Sequence, residues 1–126
     1  MSTDYPDLLT PNDSVAHSWY RQNQPFVVAL AGEFDIATVE GLQVQFDEAI
    51  ARNVSDLVID LSGVTFMDAS IVGLLARTRI RMEGMSRHLT LESPSRCALR
   101  ILDICQLTGI QGFRIVGGRS PAVLSA

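Results

Sequence analysis

The residues of this chain best suited to chemistry are four acids and a serine: Glu33, Asp35, Asp60, Asp68 and Ser70. Gathered at one end of a sheet, two of the carboxylates would make a general acid–base pair. Ser70 would need a base to become a nucleophile. It sits in no GxSxG elbow, and neither His17 nor His88 is near it in sequence. No GxGxxG and no Walker-type GKS or GKT loop is present to cradle a phosphate. The two histidines lack ligand-spaced partners, and Cys97 and Cys105 belong to no CxxC. Eight residues apart on one predicted helix, these thiols stand about 12 Å apart along its axis, too far for a bridge. No catalytic residue, metal site or cofactor is expected, and the chain reads as a non-enzyme.

What must position these residues is a short strand and the helix after it. Leu57, Val58, Ile59 and Leu61 form an apolar run broken only by Asp60, the pattern of a strand buried on both faces. Ser62-Gly63 is expected to end it, and Val64 and Phe66 to return the chain to the core. Asp68-Ala69-Ser70 then opens a helix, with Asp68 as its N-cap. A polar cluster between a buried strand and a helix start is exposed yet rigidly held. Open α/β sheets commonly place ligand and partner sites at such junctions.

The other elements follow from periodicity. His17 to Gln22 is expected as an edge strand, with a turn over 22–25, and Phe26 to Ala31 as a second strand closed by Gly32. Glu33 to Ala37 reads as a loop, and Thr38 as the cap of a helix carrying Leu42, Phe46, Ala49 and Ile50 inward and ending at Asn53. The helix after Asp68 turns Ile71, Val72, Leu74, Leu75, Thr78 and Met82 inward and ends at Gly84. His88 to Glu92 is a fourth strand. A helix from Pro94 or Ser95 through Leu107 has Ala98, Leu99, Ile101, Leu102 and Cys105 facing inward, and Phe113 to Val116 is a last strand. Strands alternating with helices after a leading hairpin predict an α/β fold, a mixed sheet with helices against it. Residues 1–14 are expected as a flexible arm, 15–117 as the domain and 118–126 as a loose tail.

Composition narrows the function. At 126 residues, nearly half of them hydrophobic, the chain is one domain with a real core. Its net charge is −4 and all ten basic residues are arginine. An acidic chain without a basic stripe is a poor candidate for nucleic acid. No signal peptide and no apolar span of membrane length is seen, so a cytoplasmic protein without membrane insertion is expected.

Three segments, in order and at family spacing, resemble a known family. They are Leu30-Ala31-Gly32-Glu33-Phe34-Asp35-Ile36-Ala37-Thr38, then Val58-Ile59-Asp60-Leu61-Ser62-Gly63-Val64-Thr65-Phe66-Met67-Asp68, and Leu102-Asp103-Ile104-Cys105-Gln106-Leu107-Thr108-Gly109-Ile110. Over residues 17 to 117 the chain looks like a stand-alone STAS domain of the bacterial anti-sigma factor antagonist type. The resemblance implies a STAS fold, a mixed four- to five-stranded sheet, mostly parallel with an added edge strand and with helices packed largely on one side, and it implies partner switching. Such an antagonist binds an anti-sigma factor of the serine-kinase type and frees a sigma factor for transcription. The kinase ends the binding by phosphorylating the serine after the Asp of a DSSG- or DSTG-like motif, and a phosphatase restores it.

Here the motif reads Asp68-Ala69-Ser70-Ile71. The acceptor position falls on Ala69, which has no hydroxyl. Ser70 matches the second Ser or Thr, and Ile71 replaces glycine, which should stiffen and crowd the helix start. The first reading is an interaction module that cannot be phosphorylated at the usual place. Phosphorylation at Ser70, redirected by about 100° around the helix, and a diverged module with another partner stay open.

By the same resemblance the partner surface comprises Glu33, Asp35 and Thr38 in the first loop, Asp68, Ala69 and Ser70 at the tip, and Arg77 on the following helix. Arg81, four residues on, shares that face. The acids would meet basic residues of the anti-sigma factor and favour fast, salt-sensitive association. Two other readings remain: a STAS subunit of a larger assembly, such as a stressosome-like or lipid-transport complex, and a module sensing a nucleotide or other small ligand.

Overall fold

The structure, a computed structural model, describes residues 15–20, 25–105 and 114–117. Its elements in chain order are β1 (Val15–Tyr20), β2 (Phe26–Phe34), α1 (Val39–Arg52), β3 (Leu57–Met67), α2 (Ala69–Gly84), β4 (Leu89–Glu92), α3 (Arg96–Ile104) and β5 (Arg114–Val116). The five strands form one sheet in the order β1-β2-β3-β4-β5. Only β1 runs antiparallel to its neighbour; β2 to β5 are parallel. Each parallel step crosses over through a helix and moves one strand in the same direction. Because such crossovers are right-handed, the three helices cover one face. This is the α/β architecture expected from the sequence.

The core lies between that face and the helices. Alternate strand residues, Val28 and Leu30 on β2, Leu57, Ile59 and Leu61 on β3, and Leu89 and Leu91 on β4, pack with one stripe from each helix. On α1 the stripe is Leu42, Phe46, Ala49 and Ile50; on α2 it is Ile71, Val72, Leu74, Leu75, Thr78 and Met82. Both match the 3.6-residue pattern of the sequence. Thr78 is a buried polar member whose hydroxyl donates to the Leu74 carbonyl at 2.7 Å. Asn53 ends α1 as expected and donates its amide to the Ala49 carbonyl, also at 2.7 Å, which satisfies it in its buried place.

The strands depart from expectation where they lead to the tip. Gly32 does not close β2, which continues through Glu33 and Phe34. Ser62-Gly63 does not end β3, which runs six residues beyond Leu61 to Met67. The register explains both. Ala29 and Ala31 face Asp60 and Gly63, while Gly32 and Glu33 face Val64 and Phe66, so β3 carries two extra residues against β2. Gly32 supports this with a φ of 106°, a region closed to most side chains. Gly63 supports it by close approach, since a Cβ there would stand 3.0 Å from the Leu30 carbonyl oxygen. A break signal in the sequence is thus a pair of bulges in an unbroken strand.

The bulges change which side chains face inward. Along the end of β3 the buried residues are Leu61, Val64 and Met67, every third one. Phe66, expected in the core, is 47% exposed. Further along, β4 begins at Leu89 rather than His88, and β5 is described from Arg114. Helix α3 starts after Ser95, whose hydroxyl accepts the Ala98 amide at 3.2 Å, and stops at Ile104 with Cys105 as cap. Leu99 faces solvent, not the core, because the inward stripe runs through Ala98 and Leu102. The expected arm, tail, most of the 22–25 turn and the continuation of α3 to Leu107 lie outside the described residues.

Candidate functional site

The parallel strands β2 and β3 end side by side, with Phe34 opposite Met67. Asp68 and Asp35 follow directly, so their loops share one edge of the sheet. Asp68 takes the N-cap position of α2 in an extended backbone conformation. Its carbonyl accepts the amides of Ile71 at 3.1 Å and Val72 at 3.4 Å. Its carboxylate does more. Oδ1 accepts the Ser70 amide at 3.0 Å and the Ser70 hydroxyl at 2.5 Å. Oδ2 accepts the amide of Ile36, from the loop after β2, at 3.2 Å.

These donors set the charge of Asp68. Partial burial pushes its carboxyl up, but the Ser70 hydroxyl and the amides of Ser70, Ile36 and Ile71 outweigh that and hold it below its ordinary value. A fixed negative charge thus sits beside Ala69, which is exposed at the first position of α2.

The first loop is a closed turn. The Asp35 carboxylate accepts the Ala37 amide at 3.0 Å, and the Asp35 carbonyl accepts the Thr38 amide at 2.9 Å. Thr38 Oγ1 accepts the Asp35 amide at 2.9 Å and donates to the Asp35 carbonyl at 3.0 Å. Thr38 is therefore the N-cap of α1 by position, but its hydroxyl makes no bond to the helix; it locks the turn instead. The turn carries Ile36 outward, 69% exposed.

Five of the anticipated residues, Asp35, Thr38, Asp68, Ala69 and Ser70, are thus gathered at this tip. Glu33 lies one strand position earlier, exposed and in register with Phe66. Asp60 does not join them: it pairs in the sheet with Ala29 and Glu92, eight residues before Asp68, and accepts the Ser62 amide at 2.9 Å. Asp35 and Asp68 each bind backbone amides with their carboxylates, an arrangement that builds loops rather than moving protons.

Arg77 stands about 12 Å along α2 from Ala69, exposed, with its guanidinium close over Gly73. Arg81, anticipated on the same face, is paired with Asp47 of α1, and Arg79 with Glu83 at 3.0 Å. Ile71 is wholly buried. It fills the core beneath the first turn of α2, so the crowding expected at the helix start lies inside, not on the approach surface.

Two residues of the tip escaped sequence reasoning: Ile36 and Phe66. Both are large, apolar and exposed beside the acids. Ile36 was legible as an apolar residue within an otherwise polar turn. Phe66 was not, because only the bulges turn it out. Among the described residues no group of three or more His, Cys, Asp or Glu is arranged to hold a metal ion, and no helix is long and apolar enough to cross a membrane. Cys97 and Cys105 are free thiols; the former donates to the Val64 carbonyl at 3.3 Å.

Comparison with known proteins agrees with this fold. The family model described as "Mlab, STAS domain" matches residues 18–116. The anti-sigma-F factor antagonist RsfB of Mycobacterium tuberculosis is 35% identical over 70 residues, which are 56% of this chain and 57% of that protein. The chain thus matches little more than half the length of these curated relatives. An anti-sigma factor antagonist from Mycobacterium paratuberculosis superposes with a TM-score of 0.74 at 21% identity, over 88% of this chain and 92% of the other. The anti-sigma factor antagonist SpoIIAA in its unphosphorylated form gives 0.66 at 22%, over 80% and 87%. The phosphorylated form of SpoIIAA, a Bacillus cell fate determinant, gives 0.61 at 22%, over 80% and 90%. At such identities the structural likeness is one of fold.

Proposed function

Because the chain belongs to the STAS domain family, we propose that it is a partner-switching regulator, not an enzyme, which binds an anti-sigma factor of the serine-kinase type and so releases a sigma factor. The observation that carries this is the tip itself. Two loops are locked together at the end of a parallel sheet, with exposed Ile36 and Phe66 among the carboxylates of Glu33, Asp35 and Asp68. Exposed apolar side chains interspersed with carboxylates suit a protein-binding surface. The named antagonist RsfB supports the choice of partner. In this reading the chain works in the cytoplasm, where its partners are.

The same tip supports a module that is not switched off by phosphate in the usual way. Ala69 stands exposed where an acceptor hydroxyl would be needed. Ser70 is half-buried, and its hydroxyl is engaged with the Asp68 carboxylate. A phosphate on that oxygen would place two like charges against one another. A phosphatase then has no substrate here unless Ser70 is modified.

The test is direct binding between the purified chain and each kinase-type anti-sigma factor of its own genome, followed by transcription with the cognate sigma factor. Nanomolar to micromolar binding with recovery of transcription is expected. No binding to any of them overturns the reading. The second reading is a STAS subunit of a larger assembly, stressosome-like or of a lipid-transport complex. Co-purification with scaffold or transport-ATPase subunits would identify that case.

A further inference from the structure

Beyond the last ladder pair, Phe34 with Met67, the two tip loops are tied by a single described hydrogen bond, from the Ile36 amide to Asp68 Oδ2. The bonds between Asp35, Ala37 and Thr38 close inside the first loop, and the Thr38 carbonyl accepts the Leu42 amide of α1, so they set its shape without attaching it to α2. Attachment depends on where Asp68 aims its second oxygen.

A carboxylate rotates easily about its terminal bond, since that torsion has no deep staggered wells. Here Oδ1 is pinned from two directions, by the Ser70 amide at 3.0 Å and the Ser70 hydroxyl at 2.5 Å. Two donors on one oxygen fix the plane of the group, and only then does Oδ2 face a backbone amide 32 residues earlier. A hydroxyl donating to a carboxylate is among the stronger protein hydrogen bonds.

We propose that Ser70 is a positioning residue, whose hydroxyl orients the Asp68 carboxylate so that it latches the β2–α1 loop to the start of α2 and presents Ile36 at the tip. The consequence for binding rests on the partner-binding reading above; the latch itself does not. Ser70 then serves the interaction without touching the partner. Any change that removes its proton donor, including a covalent modification of that oxygen, frees the loop that carries Ile36.

The test uses the free chain. Solvent-exchange NMR measures the Ile36 amide in the wild type, S70A and S70T, with the Ile59 and Phe46 amides as internal controls for the core. S70A is expected to speed exchange at Ile36 roughly three- to tenfold, the scale of one lost ordinary hydrogen bond, and to leave Ile59 and Phe46 unchanged. S70T, which keeps a hydroxyl, is expected to restore the slow rate. An unchanged Ile36 amide in S70A overturns the latch, as does a rise shared equally by the core amides. Binding of the anti-sigma factor is then measured for the same variants. Loosening of Ile36 without any partner binding in the wild type would remove the functional reading and leave the latch standing.

Discussion

Gly63 of β3 lies against Leu30 of β2 so closely that a Cβ on it would meet the Leu30 carbonyl oxygen at 3.0 Å and the Ala31 Cβ at 3.1 Å. The obstacles are the β2 backbone and the Cβ fixed directly to it, so neither can swing away cheaply. G63V is expected to destabilise the protein by about 1–3 kcal/mol through overpacking, read as a lower urea midpoint. An unchanged midpoint would mean that the bulge relaxes freely.

The acceptor position is restored by one substitution. A69S puts a hydroxyl on an exposed residue that makes no core contact, so folding should be little affected. Under the proposed function, A69S incubated with ATP and a kinase-type anti-sigma factor found to bind the chain should gain one phosphate in its intact mass while the wild type gains none. A phosphate on wild-type Ser70 would defeat this expectation.

Reinstating glycine at position 71 is a different matter. Ile71 is fully buried, so I71G removes a core side chain and adds backbone freedom in the first turn of α2. The expected cost is about 3–6 kcal/mol, measured by urea unfolding. A69S and I71G therefore separate the two departures at this motif: one is expected to govern chemistry, the other stability.

Asp68 gives the pH dependence a sign. Its carboxyl is held below its ordinary value of 3.8. A group lowered in the folded state contributes its stability fully above the unfolded value and loses it as pH falls through the folded one. The difference in urea midpoint between wild type and D68N should therefore be constant well above 3.8 and narrow on acidification below it. A gap that widens in acid would contradict the hydrogen bonds assigned to Asp68.

The sequence shows its helices more plainly than its strands. The six buried residues of α2 recur every three or four positions, a pattern that survives because packing and periodicity demand the same thing. Asp68 was equally legible, as an N-cap residue immediately before an apolar stripe. The ends of β2 and β3 were not. Gly32 and Gly63 signal a break to any local rule, yet each serves an unbroken strand, one through its φ and the other through close approach. Phe66 followed those strands to the wrong side. Thr38 was placed correctly as a cap, but its hydroxyl found a nearer pair of partners in Asp35. The bond from Ile36 to Asp68 joins residues too far apart in sequence for a local pattern to reveal.

The two extra residues of β3 make the display at the tip a matter of length as well as composition. Leu61, Val64 and Met67 keep their places inside because the strand spends three residues where its neighbour spends two. Deleting one residue between Leu61 and Met67 would leave every side chain chemically intact. It would cancel one bulge, so that β3 there advances residue for residue with β2 while Val64 and Met67 keep facing inward. The surplus residues are slack in the strand, so its length can change at a bulge while the inward positions stay where they are.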